Sequence, residues 1–160
     1  MISTNPITLN SKEFFQILIT VYFRKRWWFL SLLLLLAVFY LFTSINLGSF
    51  RYFFITFSVV YPLLIIYQYW AFANSSKNKI FFLEKHYDID TETLTGHVAD
   101  GTQSTIKISH FVNVVTLKHC YLLYLSKSQF TYIPFASFKT PEDRIWFEEE
   151  VVGQLKRSNE

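Results

Sequence analysis

Four histidines, one cysteine and a few closely set carboxylates hold most of the chemical range of this 160-residue chain. His86 and His97 are placed to face one another on neighbouring strands, and His110 and His119 fall near strand ends. A zinc ion needs three or four ligands converging at about 2 Å. The spacings here follow no familiar metal motif, and Cys120 would point away from its neighbour His119 on a strand. Solvated or cross-strand histidines are therefore expected rather than metal ligands. Acid–base catalysis asks for two carboxyls in one cleft with separated pKa values. Asp88 and Asp90 share a strand face, but they lead into Thr91-Glu92-Thr93, an ordinary solvated turn. Glu148-Glu149-Glu150 is a charge run that reads as an exposed helical face. There is no Gly-x-Ser-x-Gly, phosphate loop or His-Glu-x-x-His pattern, and four glycines leave little material for a phosphate cradle. The sequence predicts no catalytic residue, no metal and no cofactor.

The elements around these residues are dominated by two runs without a single charge, Trp27 to Phe50 and Tyr52 to Ser76, separated by Arg51. Each exceeds the roughly 20 apolar residues that cross a bilayer at about 1.5 Å per residue. The spacing predicts a transmembrane hairpin over 27–76, with spans at about 27–47 and 52–73 and a turn at Asn46-Leu47-Gly48-Ser49. Pro62 removes one helical hydrogen bond from the second span, so a kink is expected there. Thr56, Ser58 and Tyr61 are placed to bond across to Tyr40, Thr43 or Ser44. No ionisable residue lies within a span, which argues against a transport path.

Charge divides the chain in two. Residues 1–76 hold five basic residues against one acidic, net +4, whereas residues 77–160 are nearly neutral at −1. A near-neutral second part argues against nucleic-acid binding. Arg24, Lys25 and Arg26 precede the first span, and Lys77 and Lys79 follow the second. The positive-inside rule then places both termini in the cytoplasm of a bacterial inner-membrane, multi-pass protein. Trp27, Trp28 and Trp70 are expected to share the inner interface. The basic triplet has a second reading as an anionic-lipid site, at about 1 kcal/mol per cation, although its role in topology explains the same residues. A cleavable signal peptide is not expected, and a single cysteine fits a reducing compartment.

Residues 1–26 read as an N-terminal amphipathic segment. Asn10 caps a helix whose third position is Glu13, and Phe14, Phe15, Ile17, Leu18, Val21 and Tyr22 form its apolar arc. It would lie at the membrane interface or against the soluble part. From about Lys85 the period becomes alternating, with turn signals about every 8 to 12 residues. Strands are expected at His86–Asp90, Leu94–Ala99, Thr105–Ile108, within Phe111–Lys118, at Tyr121–Leu125 and at Phe130–Pro134, with Ile80–Leu83 a further candidate. Asp100-Gly101 is a strong hairpin signal. A last helix begins with Thr140 as cap, Pro141 at its first position and Glu142 and Asp143 in its first turn. Ile145, Phe147, Val151, Val152 and Leu155 would be its buried arc, with Trp146 off that arc. The expected fold is an α+β membrane protein. A two-helix hairpin precedes a small antiparallel β-barrel or sheet over 77–160, like a pleckstrin-homology domain, capped by the C-terminal helix.

Tyr132-Ile133-Pro134, leading through Phe138 into Thr140-Pro141-Glu142 and Phe147, resembles the YcxB-like family of bacterial membrane proteins. The resemblance takes in the amphipathic segment, the two spans and the β-rich part. Its structural motif falls on Ile133, Pro134, Phe138, Pro141 and Phe147. Phe135 stands where the family often has a basic residue, and His110-Phe111 where it often has tryptophan. The resemblance implies a membrane-anchored domain of pleckstrin-homology type, with no assigned activity and no catalytic residue. The functional expectation is a non-enzymatic interaction or regulatory module, partnered by the bilayer and by a protein or lipid headgroups. Two alternatives stand beside it: an immunity or accessory protein of a larger membrane complex, and a metal-dependent enzyme using the histidines.

Overall fold

The computed structural model describes residues 1–42, 49–127 and 129–157. Two compact units divide the chain. One is Leu9–Phe82, and the other joins Met1–Thr8 to the stretch from Leu83 onward. The second unit is thus discontinuous in sequence, with the first inserted into it.

In the inserted unit, helix α1 (Ser11–Phe42) opens on a reciprocal cap. The Glu13 amide donates to Asn10 Oδ1 at 2.8 Å, and the Asn10 amide donates to Glu13 Oε2 at 3.2 Å. Those two bonds occupy donors that a helix start leaves open. Arg26 breaks the helical path (φ −120°, ψ 16°), at the seam between the amphipathic and the uncharged stretch. Helix α2 (Ser49–Ala73) stays helical through Pro62. Leu34, Leu35, Phe42, Phe53 and Leu63 are all exposed, and both helices are long and apolar enough to cross a membrane. Burying such surfaces is what the chain needs from its surroundings.

Side-chain pairs set the register of the two helices. Phe14 lies against Phe72, the Tyr22 hydroxyl meets that of Tyr61 at 3.1 Å, and Phe29 meets Tyr61 edge-on. Ser58 donates to the Leu33 carbonyl at 3.2 Å and to Phe54 at 2.8 Å, and Tyr40 stacks on Phe54. Ser58 and Tyr61 therefore bond across the hairpin, to Leu33 and Tyr22. Thr43, Ser44 and the turn at 46–48 lie outside the described residues. Tyr22 also touches Tyr69. Arg24, Lys25 and Arg26 are thereby level with the stretch of α2 between Tyr61 and Tyr69, not with its end. At about 1.5 Å per residue, the middle of that stretch is roughly 8 Å from the level of Trp70. The tryptophans of the two helices are thus offset along the hairpin. Residues 80–82, a candidate strand from the sequence, belong to a 3₁₀ helix, Ser76–Phe82.

Among the described residues, the second unit holds seven strands in two antiparallel sheets. The first has the order β1 (Ile2–Ser3), β2 (Lys85–Ile89), β3 (Thr93–Val98), β4 (Gln103–Lys107), and the second β5 (Asn113–Thr116), β6 (Cys120–Tyr124), β7 (Phe130–Pro134). The sheets do not close into the expected barrel. Between β4 and β5 the chain turns through a 3₁₀ helix, Ile108–His110, whose Ile108 is buried together with the following Phe111. Two apolar anchors at that corner drive the backbone inward and interrupt strand pairing. Gly101, at φ +87° in the β3–β4 turn, supplies the left-handed conformation such a turn requires.

The sequence marks Ile2 to Leu9 as extended, but not the pairing that strand β1 makes. Ile2 pairs with Ile89 and Ser3 with Asp88. Thr4 exchanges bonds with Tyr87: its amide donates to the carbonyl at 2.8 Å, and its hydroxyl accepts from the amide at 2.9 Å. Ile7, 2 % exposed, is bonded in both directions to Lys85. Residues flanking an insertion of more than seventy residues are thus stitched into one sheet.

The core gathers Ile7, Tyr87, Ile89 and Leu94 from the first sheet, Tyr121, Leu123 and Ile133 from the second, and Phe147, Val151, Val152 and Leu155 from the last helix. That helix begins as α3 (Pro141–Trp146), runs through a π-helical stretch, Phe147–Val152, and ends as α4 (Gly153–Arg157). Thr140 Oγ1 accepts from the Asp143 amide and Asp143 Oδ2 from the Thr140 amide, so the expected cap is present. The wider π turn rotates the chain less per residue than an α turn. It aligns Phe147, Val151 and Leu155 on the core, brings Trp146 against the core edge and leaves Ile145 54 % exposed. Ile145 thus leaves the arc expected of it, while Trp146 packs at the core edge.

Candidate functional site

Strand alternation assembles the most chemically capable group among the described residues. On β2, Tyr87 and Ile89 point into the core, which turns His86 and Asp88 to the other face. On β3, Leu94 and Gly96 point inward, which puts Thr95 and His97 on that same outer face. The absence of a Cβ at Gly96 has a reason: one built there would lie 3.1 Å from the Tyr87 ring. His86 and His97 are direct register partners, with rings nearly parallel (11°) and centroids 4.7 Å apart.

Asp88 is diagonal to His97, within the reach of a cross-strand pair, and its Oδ2 lies 3.0 Å from His97 Nε2. Ser3, opposite Asp88 on β1, donates a hydroxyl to the same carboxylate. These bonds, that from Ser3 foremost, hold the Asp88 carboxyl below the usual carboxylate range. His86, Asp88 and His97 each offer a ligand atom within 4.8 Å of the others, and none of the three is buried. The sequence had placed the two histidines opposite one another. Asp90, expected on the same strand face as Asp88, accepts from the amides of Glu92 and Thr93 and from the Thr93 hydroxyl, building the turn. His110 and His119 are exposed and lie on other elements. Cys120 is buried, and burial pushes its thiol up to about 11, away from thiolate chemistry.

The motif residues Ile133, Pro134, Phe138, Pro141 and Phe147 have structural positions. Ile133 is fully buried, Pro134 ends β7 and lends its carbonyl to the Ser137 hydroxyl, and Pro141 starts the last helix. Phe138 and Phe147 meet at 5.3 Å, and both contact Tyr121. The Tyr121 hydroxyl reaches Glu148 and Arg144, and the Arg144 guanidinium stacks 3.9 Å over Phe135. Burial and the Glu148 bond push the Tyr121 phenol up to about 12. Glu148, expected on an exposed face, is thus part of a polar cap on the aromatic core, while Glu149 and Glu150 remain exposed.

The flank residues line the inserted unit. Arg24, Lys25, Arg26, Trp27, Trp28 and Lys79 are exposed, and Trp70 stacks on Tyr67. The backbone of Lys77 lies in the 3₁₀ segment with that of Lys79.

No curated protein and no solved structure matches the chain at a significant level. The family model described as YcxB-like protein matches residues 89–149, from the end of β2 through β7 into the last helix, a span that contains every residue of the Ile133–Phe147 motif. Residues 89–149 are therefore similar to the YcxB-like family.

Proposed function

We propose that the chain is a membrane-anchored interaction module without catalytic activity. Its apolar hairpin is embedded in the bacterial inner membrane, and its strand unit is held in the cytoplasm to engage a protein partner or lipid headgroups. One observation carries the reading: β1 and β2 lie on opposite sides of the inserted hairpin in sequence but pair in one sheet. An apolar insertion whose two ends meet in a folded unit suits an anchor that enters and leaves by the same face. The exposed apolar surface of α1 and α2 supports bilayer burial, and the basic triplet supports an inner-face location. Its level against Tyr61–Tyr69 is within what arginine and lysine side chains tolerate by snorkelling to the interface. Four strands, then three, then a helix is also a pleckstrin-homology-like order, which supports a binding role by analogy of fold alone.

The test compares the full chain with a version whose hairpin is exchanged for an unrelated two-span hairpin. Both should stay in carbonate-washed membranes and recover the same partner on affinity purification, or bind the same anionic vesicles. A partner retained only by the native hairpin would place recognition in the membrane and overturn the reading, as would turnover of a substrate by the purified chain.

A further inference from the structure

We propose that His86, Asp88 and His97 form a binding site for a divalent transition-metal ion of the zinc and nickel class on the outer face of the first sheet. This goes beyond the anchoring role and does not depend on it. Two imidazoles and one carboxylate are a borderline N₂O donor set, which favours zinc, nickel or copper over magnesium and calcium, whose sites are built from oxygen.

Two donors on one tetrahedral zinc at about 2.0–2.1 Å are held roughly 3.4 Å apart. His97 Nε2 and Asp88 Oδ2, at 3.0 Å, already stand near that separation. All three ligand atoms lie within 4.8 Å of one another, so rotation of the His86 ring out of its stack on His97 completes the set without moving a strand. The strands are fixed from beneath by buried Tyr87, Ile89 and Leu94. Ser3 supplies the outer partner that ligating carboxylates ordinarily have, holding Asp88 from β1. Three protein ligands leave at least one position for water or for a donor from another molecule. His86 and Asp88 precede the matched domain, which begins at residue 89, so two of the three ligands come from outside it.

The experiment uses the full, untagged chain in detergent, stripped with a chelator and titrated calorimetrically with zinc and, separately, with nickel and magnesium. One zinc per chain is expected, with no magnesium binding at matched concentration. H86Q, D88N and H97Q should each weaken zinc binding about tenfold or more, while H119Q leaves it unchanged. Should the variants fail to fold, the unaltered chain gives a second measurement. Zinc should protect His86 and His97 from acylation by diethyl pyrocarbonate and leave His110 reactive. Sub-stoichiometric binding overturns the proposal. So does binding indifferent to H86Q and H97Q in folded protein, or equal reactivity of His97 with and without zinc.

Discussion

Substitution of Ile7 by alanine should destabilise a unit whose sequence lies almost entirely after the hairpin. Ile7 is 2 % exposed within the core shared with Tyr87, Ile89 and Phe147, and its backbone is bonded to Lys85 at 2.7 and 3.1 Å. Truncating a buried isoleucine costs about 2–5 kcal/mol through lost transfer energy and the cavity left behind. A loss near 3 kcal/mol is a large part of the 5–15 kcal/mol typical of a domain. For a unit of this size it lowers the melting midpoint by about 10 to 20 °C.

Trp146, against the core edge, is the natural reporter once Trp27, Trp28 and Trp70 are replaced by phenylalanine. Fluorescence melting of the detergent-solubilised chain then follows the strand unit alone. Thr8→Ala, at an exposed neighbouring position, is the control and should change stability by less than about 0.5 kcal/mol. A midpoint for Ile7→Ala within about 2 °C of the parent would refute the pairing of residues 2–7 with β2.

Phe147→Ala removes the ring that joins Tyr121 and Phe138 and should cost about 3–5 kcal/mol, read by urea unfolding of the same single-tryptophan protein. Gly101→Ala forces a side chain onto φ +87° and should cost about 1 kcal/mol by the same assay, although a Cβ there meets nothing. Glu148 has its carboxyl held low by Tyr121 first and then by Arg144. A depressed carboxyl adds stability above its ordinary value, 4.5, and loses it as the pH falls through the folded-state value. Melting midpoints should therefore fall less steeply for Glu148→Gln than for the parent between about pH 5 and pH 3.

Local pattern made much of this fold legible. Alternation located β2 to β7, the Asp100-Gly101 turn set the β3–β4 hairpin, and the Thr140-Pro141 start fixed the last helix. What escaped was non-local. Strand β1 is two residues long, and its partner lies beyond the hairpin, so no period in the sequence marks it. The exposed Ile145 follows from the π turn, which shifts the register that α periodicity assumes. The His86–His97 pair was visible because a hairpin implies its own register. Asp88 joins it only through a diagonal contact, and Ser3 only through β1, so the group of four needed the sheet before it could be seen. Likewise the level of Arg24 to Arg26 against α2 depends on which tyrosines meet, which charge counting does not reveal.

The proposed function requires an apolar hairpin that leaves and re-enters one domain on the cytoplasmic side. Reporter fusions at the two termini and at position 49 test it most directly, pairing a cytoplasm-active with a periplasm-active reporter at each point. Cytoplasmic signal at both ends and periplasmic signal only at position 49 is the predicted result. Termini on opposite sides of the membrane would contradict it, because β1 could then not pair with β2.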